Sequence, residues 1–260
     1  MDNLKIYGES GPVVVLLPGG AEAADGFFPG LAEGLVTSPG CRVVVYDRPG
    51  TGESTKAGSL SSSASDIKAA IDFVGAGSVV VVGQSLGGAV ALLLAAEHPE
   101  VVAGLVLLDS TPINDVRGCS QLERVLRPVG RLSRVPLVGA ALQAALRGGM
   151  RRSMRHADLR PDCREALERI GNLDLAKLAN SVRGISGLSA NFDATAVPAV
   201  PTVFITADRK AKSPIARAHA ELAASINAEV TVWAKAAHNL QLDHPDETLE
   251  AVRSLVVRVA

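Results

Sequence analysis

Short runs of consecutive apolar, mostly β-branched residues punctuate the chain: Val13 to Leu17, Val43 to Tyr46, Val79 to Val82, Leu105 to Leu108, Thr202 to Ile205 and Val230 to Trp233. Runs this short, with little polar alternation, are the pattern of strands covered on both faces, as in a parallel sheet. Between them the spacing lengthens to that of helices over Phe27 to Val36, Ala64 to Val74, Leu86 to Glu97, Pro214 to Ala224 and Pro245 to Val257. The alternation predicts a doubly wound α/β fold built on a mostly parallel sheet.

The rhythm stops after Asp109. From Pro112 to Val197 no clear β-branched run appears, and helical patterns are punctuated by Pro and Gly. This predicts an all-helical cap over residues 112–197, inserted into an α/β core made of residues 1–111 and 198–260. Charge follows the same boundary, with 14 basic and 8 acidic residues in the cap, a balance of +6, against −7 for the remainder. Arg124, Arg127, Arg131 and Arg134 recur at spacings of three and four, which places them along one helix face provided Pro128 does not end the helix. A solvated face explains such a row; steering of an anionic substrate by Arg124, Arg127, Arg151 or Arg155 is the alternative. The stretch Pro136 to Met150 is apolar nearly all round and shorter than the roughly 20 residues of a membrane span. It is expected to be a buried cap helix roofing a pocket, with Leu137, Leu142 and Leu146 against the substrate.

With 260 residues, 47% of them hydrophobic, and a mean hydropathy of +0.24, the chain has ample material for a packed core. A formal charge of −1 argues against nucleic acid as a partner. The three cysteines, Cys41, Cys119 and Cys163, form no disulfide framework and no C-x-x-C pair, which suits a reducing compartment. The stretch from Met1 to Pro12 lacks the basic-then-apolar order of a signal peptide, and no long uncharged apolar stretch follows, so no membrane span and a cytoplasmic location are expected. The five histidines show no metal-ligand spacing; His98, His156, His219 and His244 sit in or at the ends of predicted helices, where solvent or capping explains them.

Candidate chemistry centres on Ser78 to Leu92, where a valine run leads into Gly83-Gln84-Ser85-Leu86-Gly87 and then an Ala/Leu-rich helix. This is the context of a nucleophile elbow, a sharp turn that exposes a serine at a helix N-terminus. Residues two before and two after must be small, which Gly83 and Gly87 satisfy, and Gly88 permits close helix packing. The helix dipole favours negative charge there, and the Leu86 N–H is placed to donate to a substrate oxyanion.

With this elbow, three further segments resemble the α/β-hydrolase family. Val14 to Gly20 resembles the strand and oxyanion loop, with Pro18 where the family usually has His. The resemblance assigns the second oxyanion donor to the Gly20 N–H. Tyr46-Asp47-Arg48-Pro49-Gly50-Thr51-Gly52-Glu53-Ser54 resembles the turn after the next strand, a backbone-shaping element without a catalytic role. Ala236-Ala237-His238-Asn239, after the last predicted strand, makes His238 the general base.

The acid departs from the family pattern. In Ala207-Asp208-Arg209-Lys210-Ala211-Lys212-Ser213-Pro214 the position that usually carries it holds Lys210, and a cation there cannot orient an imidazolium. Two carboxylates remain: Asp208 in the same loop, and Asp109 at the end of the strand beside the nucleophile's, a place some family members use. Both satisfy the chain order Ser, acid, His; Asp109 is preferred and Asp208 stays open.

The resemblance implies a serine hydrolase acting on an ester or thioester of a small-molecule substrate through an acyl-enzyme on Ser85, with no cofactor and no metal. With 3% aromatic residues, an aliphatic pocket is expected. An acyltransferase, a lactone-forming cyclase or a C–C bond enzyme on the same triad, or a binding protein that has lost the acid, are the alternatives.

Overall fold

The computed structural model describes residues 3–153 and 158–260. Seven strands, β1 (Leu4–Tyr7), β2 (Val13–Leu17), β3 (Arg42–Tyr46), β4 (Val79–Gln84), β5 (Val102–Leu108), β6 (Thr202–Thr206) and β7 (Val230–Val232), form one sheet in the order β1-β3-β2-β4-β5-β6-β7. All pairings are parallel except β1 with β3. β1, which the hydrophobic pattern did not predict, lies at the sheet edge with its residues half-buried or exposed.

The apolar runs divide by parity, because successive side chains of a strand point to opposite faces. Val15, Leu17, Val81, Leu105 and Leu107 join one core, whereas Val14, Leu16, Val80, Val82, Val106 and Leu108 join the other. Burying each such side chain stabilises by roughly 1.5–3 kcal/mol, so the sheet is anchored from both sides. The helices α1 (Leu31–Thr37), α2 (Ser63–Phe73) and α3 (Leu86–Glu97) follow in chain order. In α3 every residue from Leu86 to Ala95 is buried.

Between β5 and β6 lie five α-helices, α4 (Val116–Leu132), α5 (Pro136–Ser153), α6 (Pro161–Ile170), α7 (Leu175–Ser181) and α8 (Ile185–Asn191), among the described residues. α9 (Pro214–Ser225), α10 (Leu240–Asp243) and α11 (Pro245–Val259) complete the chain. α4 runs through Pro128, so the proline does not end it.

The expectation of a buried helix over Pro136 to Met150 is corrected: no residue from Pro136 to Arg152 is buried, and Leu137 is 86% exposed. Leu137 and Leu146 are nine positions apart, about 180° round a helix at 3.6 residues per turn, so they cannot share a face. Among the described residues no helix is long and apolar enough to cross a membrane. Cys41, Cys119 and Cys163 are free and buried.

Candidate active site

Ser85 stands between β4 and α3 with φ 50° and ψ −118°, a conformation costly for a residue with a side chain. The surrounding glycines explain how the turn is accommodated. A β-carbon on Gly87 would overlap the Leu17 carbonyl, one on Gly83 the Gly87 carbonyl, and one on Gly88 the Ser110 side chain. The turn is tied to the neighbouring strand end: Ser85 N–H donates to the Leu108 carbonyl (3.0 Å) and Thr111 N–H to the Ser85 carbonyl (2.8 Å). Gly19 and Gly20, at the end of the adjacent β2, border the same cavity as Ser85, and Gly20 has φ 57°. Leu86, buried, opens α3 directly after Ser85.

His238 Nε2 lies 3.0 Å from Ser85 Oγ, and His238 Nδ1 lies 2.6 Å from Asp109 Oδ2. Two bonds shape the loop that carries the ring. Gln84 donates its side-chain N–H to the His238 carbonyl (2.9 Å), and Ala237 N–H donates to Asp243 Oδ2 (2.5 Å).

Asp109, also at positive φ (41°), has a fully buried side chain. Its Oδ1 accepts from the Thr206 hydroxyl (2.9 Å), Ala207 N–H (3.2 Å) and Arg209 Nε–H (3.2 Å), and Oδ2 accepts from Arg209 Nη2 besides facing His238. Burial alone would raise this carboxyl, but hydrogen bonds from His238 and Arg209, with the charge of the guanidinium, outweigh it and hold Asp109 well below the ordinary carboxylate range. An ionised carboxylate only accepts, so the imidazole carries its proton on Nδ1 and leaves Nε2 to accept from the Ser85 hydroxyl.

Asp208 is elsewhere. It is exposed, its Oδ2 accepts from Lys235 N–H (2.8 Å), and its own N–H donates to the Ala236 carbonyl (3.0 Å), so it braces the base of the His238 loop. Lys210 borders the cavity that holds Ser85.

Sequence reasoning missed Gln84, Thr206, Arg209 and His219. His219 corrects the reading that solvent or capping explains it: it is fully buried, with Nε2 donating to the Ser110 carbonyl (2.7 Å) and Nδ1 facing Thr206 Oγ1 (3.0 Å), and burial lowers its pKa. No local pattern announced these partners, since each acts on a group distant in the chain. His156 and Arg155 lie outside the described residues.

Two cavities border the Ser85–His238 pair. One of about 780 Å³ includes Pro112, Leu122, Val125 and Ile215, and Arg209 and Lys210 also line it. The other, about 570 Å³, includes Phe27, Leu146, Met150, Ile170 and Leu178. Of the three leucines expected to face substrate, Leu146 borders a cavity beside Ser85; Leu142 is half-buried without bordering either, and Leu137 faces away. Arg124, Arg127 and Arg151 border neither cavity, and Arg151 pairs with Glu168 at 3.8 Å. Glu22 also borders the second cavity; burial pushes its carboxyl up to about 7 against the lowering effect of Arg169, and Oε1 is buried without a hydrogen-bond partner. No group of three or more His, Cys, Asp or Glu suited to a metal occurs among the described residues.

Known proteins resemble the chain to different depths. A 105-residue stretch, 40% of the chain, is 42% identical to lipase LipV of Mycobacterium tuberculosis, and a 93-residue stretch is 33% identical to the sn-1-specific diacylglycerol lipase ABHD11 of Mus musculus. These stretches span 39% and 30% of the relatives' own lengths. Among solved structures, an esterase from Thermogutta terrifontis is similar over 98% of this chain and 93% of its own (TM-score 0.75, 22% identity). MenH from S. aureus is similar over 99% of both chains (TM-score 0.78, 17% identity). At such identities these two likenesses are likenesses of fold. The family model for the alpha/beta hydrolase fold matches residues 12–245, and the chain belongs to that family.

Proposed function

We propose that the protein is a serine hydrolase that cleaves a carboxylic ester or thioester of a small, largely apolar molecule through an acyl-enzyme on Ser85. The observation that carries this reading is a single imidazole within hydrogen-bond reach of both a serine in a strained turn and a buried, ionised carboxylate. In this reading Ser85 Oγ attacks the carbonyl carbon as its proton passes to His238 Nε2. Asp109 stays ionised and stabilises the imidazolium. The tetrahedral oxyanion receives hydrogen bonds from the Leu86 and Gly20 N–H groups at the positive end of α3. The imidazolium then protonates the leaving alcohol or thiol, and water, deprotonated by His238, releases the acid.

The two cavities meeting at Ser85 support a division of labour in which one receives the acyl chain and the other the leaving group. Both are bordered by aliphatic side chains, which suits an apolar substrate. We read the helices within residues 112–197 as a cap on the core of residues 1–111 and 198–260, because α4 supplies Leu122 and Val125 to one cavity and α5 supplies Leu146 and Met150 to the other. The lipase and esterase names of the similar proteins favour esters over other acyl compounds.

The test is hydrolysis of matched oxygen- and thioesters of short to medium chain length, with a fluorophosphonate adduct located by peptide mass analysis. Steady turnover abolished together with adduct formation at Ser85 supports the reading. Turnover that survives full labelling of Ser85 overturns it.

A further inference from the structure

The arginines of α4 leave a question the active site does not absorb. Arg127, Arg131 and Arg134 stand four and three positions apart, on one face of the helix and its end. They border a third cavity, of about 450 Å³, together with Arg183, Asn180 and Glu123. Its lining shares no residue with the two cavities beside Ser85. Small residues make the hollow: a β-carbon on Gly130 would overlap that of Ala179, so α4 and α7 touch there while longer side chains rise around the contact.

The charges in this lining do not balance. None of the four arginine side chains forms an ion pair within 4.0 Å or a hydrogen bond among the described residues, beyond the longer-range attraction between Arg127 and Glu123. Glu123 is already engaged, accepting from Gly184 N–H (2.8 Å), Ser186 N–H (3.3 Å) and the Ser186 hydroxyl (2.6 Å). Four guanidinium groups against one carboxylate leave the lining at +3. Like charges gathered round a concavity repel one another, and an anion placed among them relieves that repulsion. Guanidinium forks match the oxygens of a phosphate group, which can accept from several donors at once, and the Asn180 amide is a further donor.

We propose that this hollow between α4 and α7 binds a phosphate ester, the phosphate group lying among Arg127, Arg131, Arg134 and Arg183. The site is separate from the catalytic reading and does not depend on it. α4 contributes to both regions, with Leu122 and Val125 toward Ser85 and the arginines toward the phosphate.

Titration calorimetry on the full chain at low ionic strength tests the proposal. One arm uses glycerol 3-phosphate; a second uses phosphatidylcholine vesicles with and without phosphatidic acid, read by co-sedimentation. Saturable binding is expected in at least one arm, weakened tenfold or more in an Arg131→Gln/Arg183→Gln double variant whose melting temperature and ester turnover are unchanged. Binding to the soluble ester identifies a free phosphate ester as the ligand, whereas binding to phosphatidic acid vesicles alone identifies a lipid headgroup. An Arg131→Lys/Arg183→Lys variant is expected to fall between the two, because it keeps charge and loses the fork. No saturable binding in either arm, or binding that the double Gln variant leaves intact, overturns the proposal.

Discussion

Asp109 and His238 stand 129 positions apart in the chain, and their side chains meet at 2.6 Å, Oδ2 to Nδ1. The contact spans the width of one strand, since Asp109 directly follows β5, His238 follows β7, and β6 lies between them. The Asp109 N–H donates to the Ile205 carbonyl of β6 (2.8 Å), which holds the carboxylate at the strand ends while the long loop after β7 brings the imidazole back over them.

Ser85→Ala is expected to lower ester turnover by on the order of 10⁶, and His238→Ala by a comparable factor, because nucleophile and base act as one unit. Steady-state kinetics with an activated ester checks both. Retained activity in either variant rejects its assigned role.

For the acid, Asp109→Asn is expected to cost about 10⁴ in turnover, as loss of the orienting carboxylate does in serine protease triads. Asp208→Asn keeps an acceptor for Lys235 N–H and is expected to remain within about twofold of the parent, in line with ordinary surface substitutions. The reverse ranking would transfer the role to Asp208.

Arg209→Met removes a cation from a carboxylate that has no solvent exposure. Breaking a wholly buried pair costs about 3–5 kcal/mol; because the Arg209 side chain is 26% exposed, about 2 kcal/mol is expected by urea unfolding at pH 7. Asp109 is depressed in the fold, so its contribution is fully present above the ordinary carboxylate pKa of about 3.9 and is lost as pH falls through the folded value. The deficit of the variant should therefore be smaller at pH 3 than at pH 7. An equal deficit at both would show that the charge pair is not its cause.

Glu22 runs in the opposite direction. Its carboxyl is raised from 4.5 to about 7 by burial, so the folded protein holds this proton more tightly than the unfolded chain, and stability falls as pH rises through that window. Glu22→Gln cannot ionise; its advantage over the parent is expected to grow between pH 5 and pH 8, toward a ceiling of about 3 kcal/mol. Unfolding free energies measured at those two pH values decide it. A difference that does not change with pH would rule out burial of the charge as its origin.

The elbow was legible in the sequence because it is local. Strand, turn and helix occupy consecutive residues, so the glycine spacing can be read along the chain, although only the contact that demands glycine at 83 lies within the turn and those at 87 and 88 are with Leu17 and Ser110 of neighbouring strand ends. The interior strands were legible for a similar reason, since burial on both faces leaves little room for polar residues. β1 was not: at an edge with its residues half-buried or exposed, Leu4 to Tyr7 carries no apolar run to read.

What lay beyond the sequence was every choice between equivalents. Asp109 and Asp208 both follow strand ends and both precede His238, so order in the chain weighs them equally; only the path of the β7–α10 loop brings the ring to one and leaves the other at its base. Leu137 and Leu146 read alike in composition, and the turn of α5 separates them by half a circle. The arginine row of α4 was visible as a spacing, but the partner face on α7 that makes a cavity of it comes from packing between helices distant in the chain. Periodicity specifies which residues share a face; long-range packing specifies what that face meets.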